Sequence, residues 1–162
     1  MGYLIADKRS NDALEIGLQR EKLLDKMGHI DAACFLGDIS SDAMFLRDQL
    51  EKMPHQPVLY AVRGNNDLAS MLPDQLLIEL DKHKIWMEHG HLFPSLMTLA
   101  YRAKDNGADI ALFGHTHEPH CEYAYGVLLL NPGSAGNQCR GGAARASLMI
   151  LDGEKVRIED IL

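Results

Sequence analysis

The sequence predicts an α/β protein, and two observations predict it. Over the first two thirds of the 162 residues, short apolar runs alternate with amphipathic stretches of helical period. Over the last third the helical pattern disappears and only strand-like runs remain, separated by glycine-bearing turns at Gly126, Gly133 and Gly153. Such an order calls for more strands than a single parallel sheet requires, which leaves room for two packed sheets.

Taken along the chain, residues 3–6 form a short first strand. Residues 12–27 read as a helix, with Asn11 before it, Gly28 after it, and Ile16, Leu23, Leu24 and Met27 on one face. Strands are expected at residues 32–36 and 58–62, with a helix over 41–53 between them that Ser40 or Ser41 would cap. Strand-like runs cover 76–80 and 84–88. Residues 94–106 predict a helix with Pro94 near its start and Gly107 just past its end. The closing strands fall at 110–113, 127–130, 147–151 and 155–161.

Composition bounds the rest. The length suits one domain spanning residues 1–162. No apolar run approaches the ~20 residues that cross a bilayer, and the opening Met-Gly-Tyr-Leu-Ile-Ala-Asp lacks a secretory leader, so a cytoplasmic protein without membrane contact is expected. Net charge is −7, which argues against a strong nucleic-acid-binding surface. It does not argue against a small phosphate substrate, because a local metal centre outweighs a negative global field. Cys34, Cys121 and Cys139 are odd in number and widely spaced, as free thiols in a reducing compartment would be.

The informative feature is what ends each strand. Tyr-Leu-Ile-Ala runs into Asp7, Ala-Cys-Phe-Leu-Gly into Asp38, and Leu-Tyr-Ala-Val-Arg-Gly into Asn65. Lys-Ile-Trp-Met-Glu runs into His89, and Ile-Ala-Leu-Phe-Gly into His115, with His117 two residues on. In open α/β sheets the functional crevice lies beyond the carboxyl ends of the strands, so separate loops would deliver these side chains to one place. Carboxylate, amide oxygen and imidazole together suit Mn²⁺, Fe²⁺, Zn²⁺ or Ni²⁺. Asp38 is the natural carboxylate to bridge two cations, which at ~3.5–4 Å apart clamp a phosphate and activate water. Alone, Gly37-Asp38 or Gly64-Asn65-Asn66-Asp67 would be a turn, and Asp67 a cap. Gly114-His115-Thr116-His117 is the strongest single element, because two histidines at i, i+2 after a buried strand rarely serve packing.

The ordered set Asp7, Gly37-Asp38, Gly64-Asn65-Asn66-Asp67, His89-Gly90-His91, Gly114-His115-Thr116-His117 and Asn131-Pro132-Gly133-Ser134 resembles the calcineurin-like metallophosphoesterase superfamily. It is most similar to the small single-domain bacterial and archaeal phosphodiesterases. The resemblance implies a four-layer α/β/β/α sandwich of two mixed β-sheets flanked by helices. It implies one metal on Asp7, Asp38 and His117 and a second on Asp38, Asn65, His89 and His115. It also implies a metal-activated hydroxide attacking phosphorus in line, Mn²⁺ as the most usual supporting ion with Mg²⁺ a further option, a small phosphate-ester substrate, and a tendency to self-associate.

One position departs from the pattern. The family's first motif is Asp-x-His, and this chain reads Asp7-Lys8-Arg9. A guanidinium has no acceptor and stays protonated, so Arg9 is no ligand. Pointing inward, it would replace the first metal's charge and offer a bidentate contact to phosphate, which makes it a candidate catalytic residue beside Asp38, Asn65 and His117. It would not share the site with the ion, since a divalent cation ~5 Å from a guanidinium is repelled by about 7 kcal/mol at an effective dielectric of ~20. Swung away, it would leave a weaker first metal completed by water; a third option is rescue by another histidine, such as His120, three residues past His117. Either way the activity expected is lower than in relatives with both sites complete. Asn66 cannot donate a proton to a leaving group, which favours esters with good leaving groups. The rival reading is a degenerate scaffold that binds protein or senses phosphate, since a small subunit of the eukaryotic retromer is similar to this fold. Arg63 is expected in a structural ion pair, His91 in the loop behind the ligands, His29, His55 and His83 at the surface, and Trp86 and the methionines in the core.

Overall fold

The computed structural model describes residues 1–7, 30–67, 70–135 and 145–160. The expected helix over 12–27 lies outside these residues, as do Lys8, Arg9, His29 and Cys139. Two five-stranded sheets face each other. The first has the order β10-β9-β1-β2-β3, from β1 (Gly2–Ala6), β2 (Ala32–Phe35), β3 (Val58–Ala61), β9 (Ser147–Asp152) and β10 (Lys155–Asp160). The second has the order β4-β5-β6-β8-β7, from β4 (Gln75–Leu80), β5 (His83–Glu88), β6 (Ile110–Leu112), β7 (His120–Ala124) and β8 (Val127–Asn131). Both sheets are mixed. β1, β2 and β3 are parallel while β9 and β10 run against their neighbours, and β5, β6 and β8 are parallel between antiparallel edges β4 and β7.

Strand alternation builds the layers. On β1, Tyr3 and Ile5 face the opposite sheet, and together with Cys34, Ile85, Met87, Leu112 and Met149 they form the core between the sheets. Leu4 and Ala6 face the other way, onto Leu46 and Leu50 of helix α1 (Ser40–Glu51). In the second sheet Trp86, Ala111 and Leu129 face outward onto Leu99, Ala100 and Ala103 of helix α2 (Leu96–Asp105). The order is therefore helix, sheet, sheet, helix, as the resemblance implied.

Two local expectations need correction, and a third holds to within two residues. β7 carries the residues His-Cys-Glu-Tyr-Ala, too polar to show a strand period, and it forms because it is an edge that needs only β8 as partner. Helix α1 has Ile39, not a serine, at its N-cap, and the N–H of Ser40 is taken by Oδ1 of Asp67 at 2.6 Å from a different loop. Helix α2 begins after Pro94 with Ser95 as its cap, accepting from the Thr98 N–H, and ends before Gly107 at φ +76°. Its termini were legible because both signals are local.

Candidate metal centre

The parallel strands β1, β2, β3, β5 and β6 all point their carboxyl ends the same way, and the loops leaving them converge. Asp7, Asp38 and His89 are almost wholly buried there. Tight backbone approach makes the convergence possible. A Cβ added at Gly64 would stand 2.3 Å from the Asp38 nitrogen, and one at Gly114 2.3 Å from Oδ2 of Asp7, so no larger residue fits at either place. Asp38, His115 and His117 occupy the left-handed region at φ 81°, 66° and 59°. Non-glycine residues sit there at a cost, and such strain gathers where the surroundings dictate a side chain's direction.

All six expected ligands are brought together. Oδ1 of Asp38 lies 3.1 Å from Nε2 of His89, and its Oδ2 lies 3.2 Å from Nε2 of His117. Oδ1 of Asn65 lies 3.1 Å from Nε2 of His89 and 3.1 Å from Nδ1 of His115. Oδ2 of Asp7 accepts the backbone N–H of His115 at 3.0 Å and stands 3.5 Å from Nδ1 of His117.

The tautomer of His89 decides how to read this. Its Nδ1 contacts the Leu36 carbonyl at 2.6 Å, and a carbonyl only accepts, so Nδ1 carries the proton. In the neutral ring Nε2 then presents a lone pair to the oxygens of Asp38 and Asn65. At His89 a lone pair thus faces two oxygens, and Nδ1 of His117 is buried without a hydrogen-bond partner among the described residues. Such a pair is favourable only when a proton or a cation lies between its members. Protons have the corresponding effects. Burial would lower His89, but the Asp38 hydrogen bond and the Asp7 charge raise it above the ordinary histidine value. Burial would raise Asp38, but hydrogen bonds from His117 and His89 hold it well below the usual carboxylate range. Asp7 is pushed up to about 7 by burial, against the pull of His89 and His117. Burial and the neighbouring His89 lower His91 and His115.

A divalent cation fits the same donors. Ligands ~2.1 Å from one ion are separated from each other by roughly 3.0–3.4 Å, close to the pairwise spacings given above. As placed, however, no group of three or more His, Cys, Asp or Glu among the described residues is arranged to hold a metal ion. The donors meet in pairs and have not opened around a shared centre.

Other residues shape the site. Asp67, read from sequence as a simple cap, is buried and joins two loops: it takes the N–H of Gly64 at 2.9 Å and caps helix α1. Asn131 donates to the Gly114 carbonyl at 2.9 Å and to Oγ1 of Thr116 at 3.1 Å, which sets the turn bearing His115 and His117. Asn66 donates to Oδ1 of Asp38 at 3.0 Å. Arg63 pairs with Asp74 at 2.7 Å, as expected. His120 faces the Phe113 ring and Glu122 rather than Asp7 or Asp38. His83 is buried, against the surface expectation, and so is Glu88, which sequence reasoning passed over as a strand end. Trp86 belongs to the core, but Met71 lies exposed in a loop, and Met44 and Met97 are exposed because they sit off the buried faces of α1 and α2.

The comparisons with known proteins bear on the family and the fold. The family model for the calcineurin-like phosphoesterase superfamily domain matches residues 15–155. A phosphodiesterase of Methanocaldococcus jannaschii is 31% identical over 148 residues, covering 83% of each chain. Two further relatives, probable metallophosphoesterases of Bacillus subtilis and Methanocaldococcus jannaschii, are spanned over only 45% and 57% of their own length. A conserved protein of Streptococcus pneumoniae, described as a predicted phosphoesterase, has a solved structure matching with TM-score 0.71 at 28% identity, covering 98% of this chain and 87% of that one. The zinc complex of wild-type Vps29 from Entamoeba histolytica shares the fold at TM-score 0.75 and 21% identity, covering 99% and 98%. Sequence, fold and family model together place this chain in the calcineurin-like phosphoesterase superfamily.

Proposed function

We propose that the chain is a metal-dependent phosphodiesterase acting on a small phosphate ester. The observation that supports this most is the convergence of Asp38, Asn65, His89, His115 and His117, which meet in pairs at 3.1–3.2 Å. At His89 the lone pair of Nε2 faces the oxygens of Asp38 and Asn65, and no packing requirement assembles acceptors against acceptors, whereas a cation rewards it.

In this reading Asp7, Asp38 and His117 hold one ion and Asp38, Asn65, His89 and His115 hold the other, with Asp38 between them. Divalent cations there supply Lewis acidity toward the phosphoryl oxygens and acidify water for in-line attack. The chain's own residues do the rest. The Leu36 carbonyl fixes the His89 tautomer so that Nε2 remains a donor of electrons, as outer partners of metal-binding histidines do. The Asp7 contact to the His115 N–H fixes that ring's backbone. Asn66, with no proton to give, leaves departure of the alkoxide to its own basicity, so esters with acidic leaving groups should react fastest. Arg9 stands where the family pattern has histidine, so the first ion is held by fewer ligands and turnover is reduced. No helix among the described residues is long and apolar enough to cross a membrane, and a cytoplasmic enzyme is the reading that goes with it.

The test is hydrolysis of a chromogenic phosphodiester by Mn²⁺-loaded protein, with Asp38→Ala as control. Turnover that falls to background in the control is the expected result. Equal rates in both proteins would leave the degenerate scaffold, which Arg9 favours, as the better reading.

A further inference from the structure

Glu88 is 1% exposed and is the residue immediately before His89. Three elements donate to its carboxylate: Nη1 of Arg102 in α2 at 2.7 Å, Nε1 of Trp86 in β5 at 3.0 Å and Nε2 of Gln75 in β4 at 3.4 Å. The second arm of the same guanidinium, Nη2, reaches the Leu92 carbonyl at 3.5 Å. Arg102 therefore spans both ends of the turn that carries His89 and His91.

Strand alternation gives this pair its leverage. Glu88 points outward to α2, so His89 points inward, where Nδ1 meets the Leu36 carbonyl of the other sheet. The backbone of His89 is gripped as well, its carbonyl accepting the Gly114 N–H at 2.8 Å. Neighbouring side chains are thus anchored in opposite directions, one in a helix and one in the facing sheet. A buried ion pair is a poor route to stability, since apolar side chains of similar volume do as well or better. Its place beside a ligand gives it another use.

We propose that Glu88 and Arg102 are positioning residues that hold His89 in register with Asp38 and Asn65, and so set the affinity of the second metal. The inference rests on the metal-centre reading above. Arg102→Ala would strand a buried carboxylate and endanger the fold, so the informative variant is the double replacement Glu88→Met with Arg102→Met, which fills the space without the fork. Two readouts apply to the folded variant. The first needs no metal: the His89 Nδ1–H resonance, protected by the Leu36 carbonyl in the wild type, should broaden or vanish. The second is calorimetric titration with Mn²⁺, where affinity should fall by about 10–100-fold, the usual effect of outer-shell loss, with Arg102→Lys intermediate. A variant with an unchanged ring N–H signal overturns the proposal, as does a wild-type-like Mn²⁺ affinity. If the wild type takes up no Mn²⁺ the metal-centre reading fails instead, and the ring signal still decides whether the pair positions His89.

Discussion

The two ends of strand β5 carry two buried histidines with opposite fates. His83 opens the strand, and its ring nitrogens meet the Asp109 carboxylate and the Gly153 carbonyl, the latter at 3.0 Å. Asp109 also takes the Lys84 N–H at 2.9 Å, and Gly153 gives its own N–H to Asp81 at 2.9 Å. Both partners of that ring are acceptors too, but half of the Asp109 side chain lies in solvent, which can complete its hydrogen bonding. His89 follows the strand's other end, ~20 Å away for six residues at the usual strand rise. There the ring finds one complement, the Leu36 carbonyl, and then faces oxygens. The backbone makes the same contrast. Asp81, at φ 54°, is strained in a hairpin turn, as many proteins allow, whereas Asp38, His115 and His117 are strained at the positions of the donors themselves. At one pole, the start of the strand, solvent and local partners complete the polar groups. At the other, past its end, buried oxygens and ring nitrogens among the described residues converge from both sheets, and that is a capacity to bind something.

The largest effect is expected at the first ion. Arg9→His would restore the Asp-x-His pattern beside Asp7. The expected outcome is a first-ion affinity stronger by at least about 10–100-fold, the scale of losing an outer-shell partner alone, together with a higher rate on the chromogenic diester. Equilibrium titration with Mn²⁺ checks the affinity. A variant that gains neither metal nor rate removes Arg9 from the account.

Proton and metal should compete at this pole and not at the other. Asp7 is raised to about 7 by burial, so in the metal-free protein its protonated form is favoured by folding. Its contribution to stability is complete below the unfolded value of ~3.9 and is lost as pH rises through about 7. His89, raised by Asp38 and Asp7 against burial, acts in the same direction. Metal binding requires the ionised carboxylate and the neutral ring. Mn²⁺ affinity should therefore weaken by roughly tenfold per unit of pH below about 7, for each proton displaced. Thermal melts should show the metal-free protein losing stability from about pH 5 to about pH 8 while the loaded protein gains it. Parallel trends in the two forms would mean that protons and metal do not share the site.

How much of this was legible in the sequence follows from the range of each signal. The strands ending in Asp7, Asp38, Asn65, His89 and His115 were legible because an apolar run and the polar residue that ends it are neighbours in the chain. The strand-rich last third left room for a second sheet, and the family resemblance then implied the helix-sheet-sheet-helix order. What stayed hidden depended on partners far away. Asp67 looked like a cap for its own segment, and it caps a helix that begins 27 residues earlier. His83 looked exposed because Asp-Lys-His-Lys is polar, yet Asp109 and Gly153 enclose it from other strands. Glu88 drew no reading beyond closing a strand, and only the fold brings Arg102 to it.

The smallest effect expected is the one that tests whether the two poles are separate. His83→Leu keeps the volume but leaves the Asp109 carboxylate and the Gly153 carbonyl without their ring partner. Lost hydrogen bonds of this kind cost about 1–3 kcal/mol, and half of Asp109 already faces solvent, which can partly replace the ring. Chemical denaturation should read that loss, while Mn²⁺ affinity and turnover stay at wild-type values. Asp38→Ala should abolish metal binding and turnover, and in the metal-free protein it also leaves Asn66, His89 and His117 without the carboxylate that they contact, so it costs stability as well. If His83→Leu also weakened metal binding, strand β5 would be transmitting strain along its length, and the closed cluster at its start would have to be counted as part of the site.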